Sequence, residues 1–112
     1  MSFPRDPLEL LAQDFLQAWQ DAHGVATGRA YALSGFDHLA IIIEDSFSKA
    51  EHKLAEDHIG EALLRQYAEE LLNRICDQMS ERIQQVVERK VGISHVNVNP
   101  ETDQVIFTFK LE

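Results

Sequence analysis

Apolar positions along this chain alternate between two periods, and each switch marks an element. Between Asp6 and Gly24, Leu8, Leu11, Ala12, Phe15 and Trp19 recur every three or four residues, while Gln13, Asp14, Gln17 and Gln20 fall elsewhere. That pattern predicts an amphipathic helix with Trp19 in a core or an interface. Asp6 can cap its orphan amides, Pro7 suits its first turn, and Glu9 stands where a capping box needs a carboxylate. From Arg29 to Ser34 and from His38 to Glu44 the period is two, with Gly35-Phe36-Asp37 as the turn of a β-hairpin. Leu39 to Ile43 is apolar on both faces, so this strand is expected near the middle of a sheet. Helices would cover one face and the other would be partly covered, with a partner subunit able to supply that cover.

Ser48-Lys49-Ala50-Glu51 has the spacing of a second capping box, opening a short helix expected to end near Ile59-Gly60. A long helix is expected from Glu61 to about Lys90, with Leu64, Tyr67, Ala68, Leu71, Leu72, Ile75, Met79, Ile83, Val86 and Val87 on one stripe. Glu61 precedes Arg65, and Glu70 precedes Arg74, by the four residues that favour exposed ion pairs. Such a helix spans about 45 Å, more than a domain of this size needs. Its excess length points to dimerisation; a break near Asp77–Ser80 is the alternative. The period returns to two over Val91–Val98 and Gln104–Leu111, around a turn at Asn99–Asp103, with Val105, Phe107, Phe109 and Leu111 on one face. The whole predicts an α+β fold: a four-stranded antiparallel sheet from two β-hairpins, packed by an N-terminal helix, a short helix and a long amphipathic helix. No repeat or linker divides the chain, so residues 1–112 read as one domain, with 1–5 expected to be flexible.

Composition narrows the function. With 45% hydrophobic and 26% charged residues the chain is outside the disordered class. Its longest apolar run is far too short to span a bilayer, and Phe3-Pro4-Arg5-Asp6 does not open a secretory signal, so a cytoplasmic protein without direct membrane insertion is expected. A net charge of −9 argues against a nucleic-acid surface and against adsorption to anionic lipid, but is compatible with a neutral or basic protein partner. Cys76 lies inside a helical stripe and reads as a core residue.

Five histidines raise the question of metal or acid–base chemistry, but no metal-binding spacing joins them and they read as scattered surface residues. Glu44-Asp45-Ser46 with Glu51 lacks the spaced oxygens and glycine of a calcium loop. No nucleophile elbow, phosphate loop or paired base is present, and pairs such as His38 with Asp37 or His52 with Glu56 have no nucleophile beside them; neither catalytic residue nor cofactor is expected. The charges that stand out are Arg29 and Lys49, at element boundaries where an anion could meet a helix N-terminus, with Arg65 as a third candidate. For Arg29 the structural alternative is an ion pair with Glu44 across the hairpin.

The order of these motifs resembles the MpsC-like bacterial family. The resemblance rests on Gly24 with Arg29-Ala30-Tyr31, the strand Leu39–Glu44, Ser48-Lys49-Ala50-Glu51 with Leu54, Arg65, Val87-Glu88, Val91 with Ser94-x-Val96, and Phe107-x-Phe109-x-Leu111, over about residues 8 to 112. Where the family has Thr-Gly-Arg-Lys at the end of the long helix, this chain has Val87-Glu88-Arg89-Lys90; where it has Gly-Pro-Thr before strand one, this chain has Gly24-Val25-Ala26-Thr27. The resemblance implies a small cytoplasmic protein associated with a sodium-dependent, membrane-potential-generating system linked to inorganic carbon (bicarbonate) supply. The expected function is therefore a non-enzymatic accessory or regulatory protein that self-associates as a dimer and contacts a membrane transport component. The alternative is a small-anion or metabolite sensor using Arg29 and Lys49.

Overall fold

The computed structural model describes residues 6–112, so the flexibility expected of residues 1–5 lies outside the described residues. Helix α1 (Pro7–His23) begins where the Asp6 carboxylate accepts the Leu8 amide at 2.8 Å. It ends at Gly24, whose φ of 78° turns its amide onto the Gln20 carbonyl. Strands β1 (Arg29–Gly35) and β2 (His38–Glu44) form the first hairpin; α2 (Lys49–Leu54) and α3 (His58–Val87) follow, then β3 (Val91–Asn99) and β4 (Gln104–Leu111). The sheet order is β1-β2-β4-β3 with every neighbour antiparallel, so β2 is central, as its two apolar faces require.

Alternation splits each strand between two faces. Leu39, Ile41 and Ile43 of β2 join Val105, Phe107, Phe109 and Leu111 of β4 under the helices. There they meet Leu11, Ala12, Phe15 and Trp19 of α1 and Leu64, Ala68, Leu72, Ile75, Cys76 and Ile83 of α3. Phe15 packs edge-on against Phe107 and Phe109, with ring centroids 4.8 and 5.8 Å apart. Burial pushes the Cys76 thiol up to about 11, with the neighbouring Asp77 charge adding to the rise, so it is a neutral core side chain at physiological pH.

The helix boundaries differ from those expected. Helix α2 stops at Leu54 instead of Ile59-Gly60, and α3 starts at His58 instead of Glu61. Asp57 is the missed cap: its carboxylate accepts the Gly60 amide at 2.7 Å. Gly60 permits the junction, since a Cβ there would sit 1.7 Å from the Leu54 carbonyl oxygen. Helix α3 runs unbroken through Asp77–Ser80, 30 residues or about 45 Å. It ends at Val87 instead of Lys90 because Glu88 adopts a left-handed φ of 57° and donates its amide to Gln84. Arg89 then fastens this corner by donating to the carbonyls of Glu112, Phe36 and Leu111 at 2.9–3.3 Å. The family's Thr-Gly-Arg-Lys places glycine at the position Glu88 occupies. A residue with a Cβ pays roughly 1 kcal/mol in that backbone conformation, offset in part by glycine's greater freedom when unfolded. Glu88→Gly is therefore expected to stabilise the fold by about 0.5–1 kcal/mol, raising Tm by a few degrees in a thermal melt; an unchanged or lower Tm would show that the left-handed turn costs nothing here.

Candidate functional site

Polar side chains gather at the end of the sheet where β2 and β3 stop and β1 and β4 begin. Beyond Glu44 the chain turns through Asp45 at φ 54° and buries Ser46, whose hydroxyl donates to the Ile43 carbonyl at 2.7 Å. The Ser46 carbonyl accepts Trp19 Nε1–H at 3.2 Å, which fixes the indole against this turn. Asp103, at φ 59° before β4, receives the Ser46 amide on its carbonyl and the Phe47 amide on its carboxylate, and His52 lies 3.2 Å from that carboxylate.

The capping box at Ser48 forms as the sequence predicts: Ser48 Oγ accepts the Glu51 amide, and the Glu51 carboxylate accepts the Ser48 amide at 2.8 Å. Glu51 has a second role that the sequence did not disclose. Its other oxygen lies 2.5 Å from Nε2 of His23, whose side chain is 1% exposed. His23 stacks on Trp19 at 4.4 Å and lies near Phe47 and Tyr67; its Nδ1 meets no hydrogen-bond partner among the described residues. Only folding brings these groups together, because His23 at the end of α1 and Glu51 in the first turn of α2 are 28 residues apart in sequence. So His23 is not one of a set of surface histidines. It is a buried tie between two helices.

The three candidate cations are not brought to one place. Arg29, with a side chain 72% exposed, lies between Glu44 at 3.3 Å and Asp45 at 3.2 Å, the ion pair weighed as its structural role. Arg65 pairs with Glu61 at 2.9 Å and donates to the Val98 carbonyl beside β3, the sheet edge opposite the β1 edge that carries Arg29. Lys49 is exposed on the first turn of α2. A cleft of about 720 Å³ opens between the α2–α3 junction and the β3–β4 turn, lined by His52, Ala55, Glu56, Asp57, His58, Glu61, Pro100 and Glu101, with none of the three cations in its wall.

Two exposed apolar surfaces complete the picture. Ile59 (77% exposed) and Leu63 (55% exposed) continue to Tyr67 at four-residue spacing along α3, with Leu54 of α2 beside them. The stretch from 56 to 70 carries five carboxylates, Glu56, Asp57, Glu61, Glu69 and Glu70, and one cation, Arg65, already paired with Glu61. The second surface is the sheet face away from the helices. Its two middle rows, read across β1, β2, β4 and β3, are Tyr31, Ile42, Ile106, Asn97 and Leu33, Ala40, Thr108, His95, with no Asp, Glu, Lys or Arg among them. Among the described residues Ile42, 7% exposed, is the one buried apolar residue that lies outside the main core.

The architecture is thus a two-layer α+β domain with a sheet covered on one side. A model of the family described as Na+-translocating membrane potential-generating system (MpsC) matches residues 29–112, and the chain belongs to that family. Searches of curated proteins and of solved structures found no match. Among the described residues no helix is long and apolar enough to cross a membrane.

The His23–Glu51 contact generates a pH prediction. Burial pushes the Glu51 carboxyl upward, but the bonds from the Ser48 amide, the His23 ring and the Ser48 hydroxyl outweigh it and hold the carboxyl below the ordinary glutamate range. A carboxyl lowered by folding stabilises the native state above its unfolded pKa, and this contribution is lost as the pH falls through the folded value. Glu51→Gln is expected to cost about 1–2 kcal/mol at pH 7. In urea unfolding the gap from wild type should close as the pH is taken below the ordinary glutamate range; a gap independent of pH would show that the charge of Glu51 is not what binds α1 to α2.

Proposed function

We propose that this chain is a non-enzymatic accessory or regulatory protein of a Na+-translocating membrane system, acting in the cytoplasm, self-associating and contacting a membrane component of that system. The observation that carries the reading is the gathering of exposed apolar side chains into two separate surfaces on a chain of the MpsC family. Exposed apolar patches with polar rims mark protein contacts. The stripe of Leu54, Ile59, Leu63 and Tyr67 is assigned to the membrane component because of its acidic setting. Cytoplasmic segments next to membrane spans are rich in Lys and Arg, and an amphipathic basic segment offers apolar anchors for the stripe and cations for its carboxylates. A link to inorganic carbon belongs to the same proposal and rests on the family resemblance alone.

The small-anion reading has less support. Arg29 and Arg65 already face carboxylates, and they stand beside opposite edges of the sheet. The test is affinity capture from solubilised native membranes with mass-spectrometric identification. Wild type should retain subunits of a Na+-translocating complex, and Leu63→Asp, placed at an exposed position that the fold tolerates, should lose them roughly tenfold or more, the scale of a central interface anchor. Recovery of no such subunit by wild type, or equal recovery by both, would overturn this assignment.

A further inference from the structure

We propose that the open face of the sheet joins two copies of this chain about a twofold axis, with β2 of one copy lying over β2 of the other in the opposite direction. This rests on the self-association proposed above and gives it a surface and an orientation. The choice of surface follows from charge. The chain carries 19 carboxylates and a net charge of −9, so two copies repel wherever their carboxylates face each other. The α2–α3 stripe would do that. Among the described strand residues the open face holds one carboxylate, Glu44, with Arg29 and Lys110, and Asp45 stands beside Arg29 at its edge; all lie outside the middle rows, leaving a centre without Asp, Glu, Lys or Arg and a charged rim.

Orientation follows from which residues meet. Sheets that pack face to face keep their strands within about 30° of parallel or antiparallel, so a twofold axis in the interface runs near the strands or near perpendicular to them. An axis along the strands lays β1 over β3 and β2 over β4, which sets Ile42 on Ile106 but makes the other three contacts of the middle rows mixed, Tyr31 on Asn97, Leu33 on His95 and Ala40 on Thr108. It also brings the His38 and Lys110 ends together. The perpendicular axis lays each strand over its own copy and exchanges the two middle rows. Tyr31 then meets Leu33, Asn97 meets His95, and the large Ile42 meets the small Ala40, which leaves Ile106 on Thr108 as the one mixed contact of the middle rows. The Glu44 end of each copy comes to rest over the His38 and Lys110 end of the other. Leu33, 58% exposed on an edge strand, gains cover in this pairing.

Sedimentation of the purified full chain across micromolar concentrations tests the proposal. Wild type should approach twice the 12.8 kDa chain mass. Leu33→Glu, at an exposed position, should raise the dissociation constant about tenfold or more with an unchanged circular dichroism spectrum. Lys110→Glu should weaken association, and adding Glu44→Lys should restore it, while Leu63→Asp should leave it unaltered. A strict monomer overturns both this proposal and self-association itself. A dimer untouched by Leu33→Glu but dissolved by Leu63→Asp overturns the surface and leaves self-association standing. Sensitivity to Leu33→Glu without rescue of Lys110→Glu by Glu44→Lys overturns the orientation.

Discussion

Pairing of β2 with β4 joins strands whose facing residues, such as Glu44 and Gln104, stand 60 positions apart, and the rest of the structure depends on it. Closing a segment of that length costs roughly 3–4 kcal/mol of chain entropy beyond a constant term. Each hairpin is local, but neither could persist alone with one face of apolar side chains in water. The pairing sets Leu39, Ile41 and Ile43 beside Phe109, Phe107 and Val105, making the continuous apolar floor on which α1 and α3 lie. Full burial of side chains of this size contributes about 1.5–3 kcal/mol each, so two or three of them offset the closure. Helices α2 and α3 and strand β3 are the segment that closure spans, and the four turns that bend it back are built from left-handed or cap geometry, at Asp45, Asp57, Glu88 and Asp103.

Much of this was legible from the chain because the signals are local. Period-two runs at 29–44 and 91–111 gave strands whose ends the structure shifts by a residue at most, and Ser48-Lys49-Ala50-Glu51 gave its cap. The α2–α3 boundary was misplaced because Ile59 and Leu63 continue an apolar pattern without a break, so Asp57 did not read as a start; the structure leaves both side chains exposed. Tyr67, placed on the buried stripe of α3, is likewise exposed. The role of His23 was not legible at all. Its burial depends on the approach of Phe47 and Glu51 at the start of α2 and of Tyr67 in α3, two other parts of the chain, and no spacing encodes that. Arg89 is a similar case, since its three acceptors come from the first hairpin turn and the last two residues.

Charge is distributed in a way that composition conceals. A net charge of −9 argued against nucleic acid and anionic lipid and was compatible with a neutral or basic protein partner, but the fold sorts the carboxylates. They crowd the α2–α3 region and are nearly absent from the open sheet face, so the two apolar surfaces differ in what they can accept. One suits a basic segment, and the other suits a surface as weakly charged as itself. The same sorting explains the ordinary behaviour of Arg29: at the edge of the nearly neutral face it is held by Glu44 and Asp45, and an exposed pair of this kind contributes less than about 1 kcal/mol.

The two proposed contacts lie on opposite layers of the domain, and that arrangement has a consequence for how they would act together. Helices cover one side of the sheet, so copies joined through their open faces carry both helix layers outward. Each dimer would then present two α2–α3 stripes pointing away from each other. A membrane component that is itself present in two or more copies could engage both, and binding of the second site would become an intramolecular event with a gain of about 10²- to 10⁴-fold in avidity wherever the geometry allows it. Self-association would in that case set the strength of the partner contact without sharing a residue with it. A stripe that stays exposed in the free chain, on the layer that joining the open sheet faces leaves uncovered, is what such a division of labour requires.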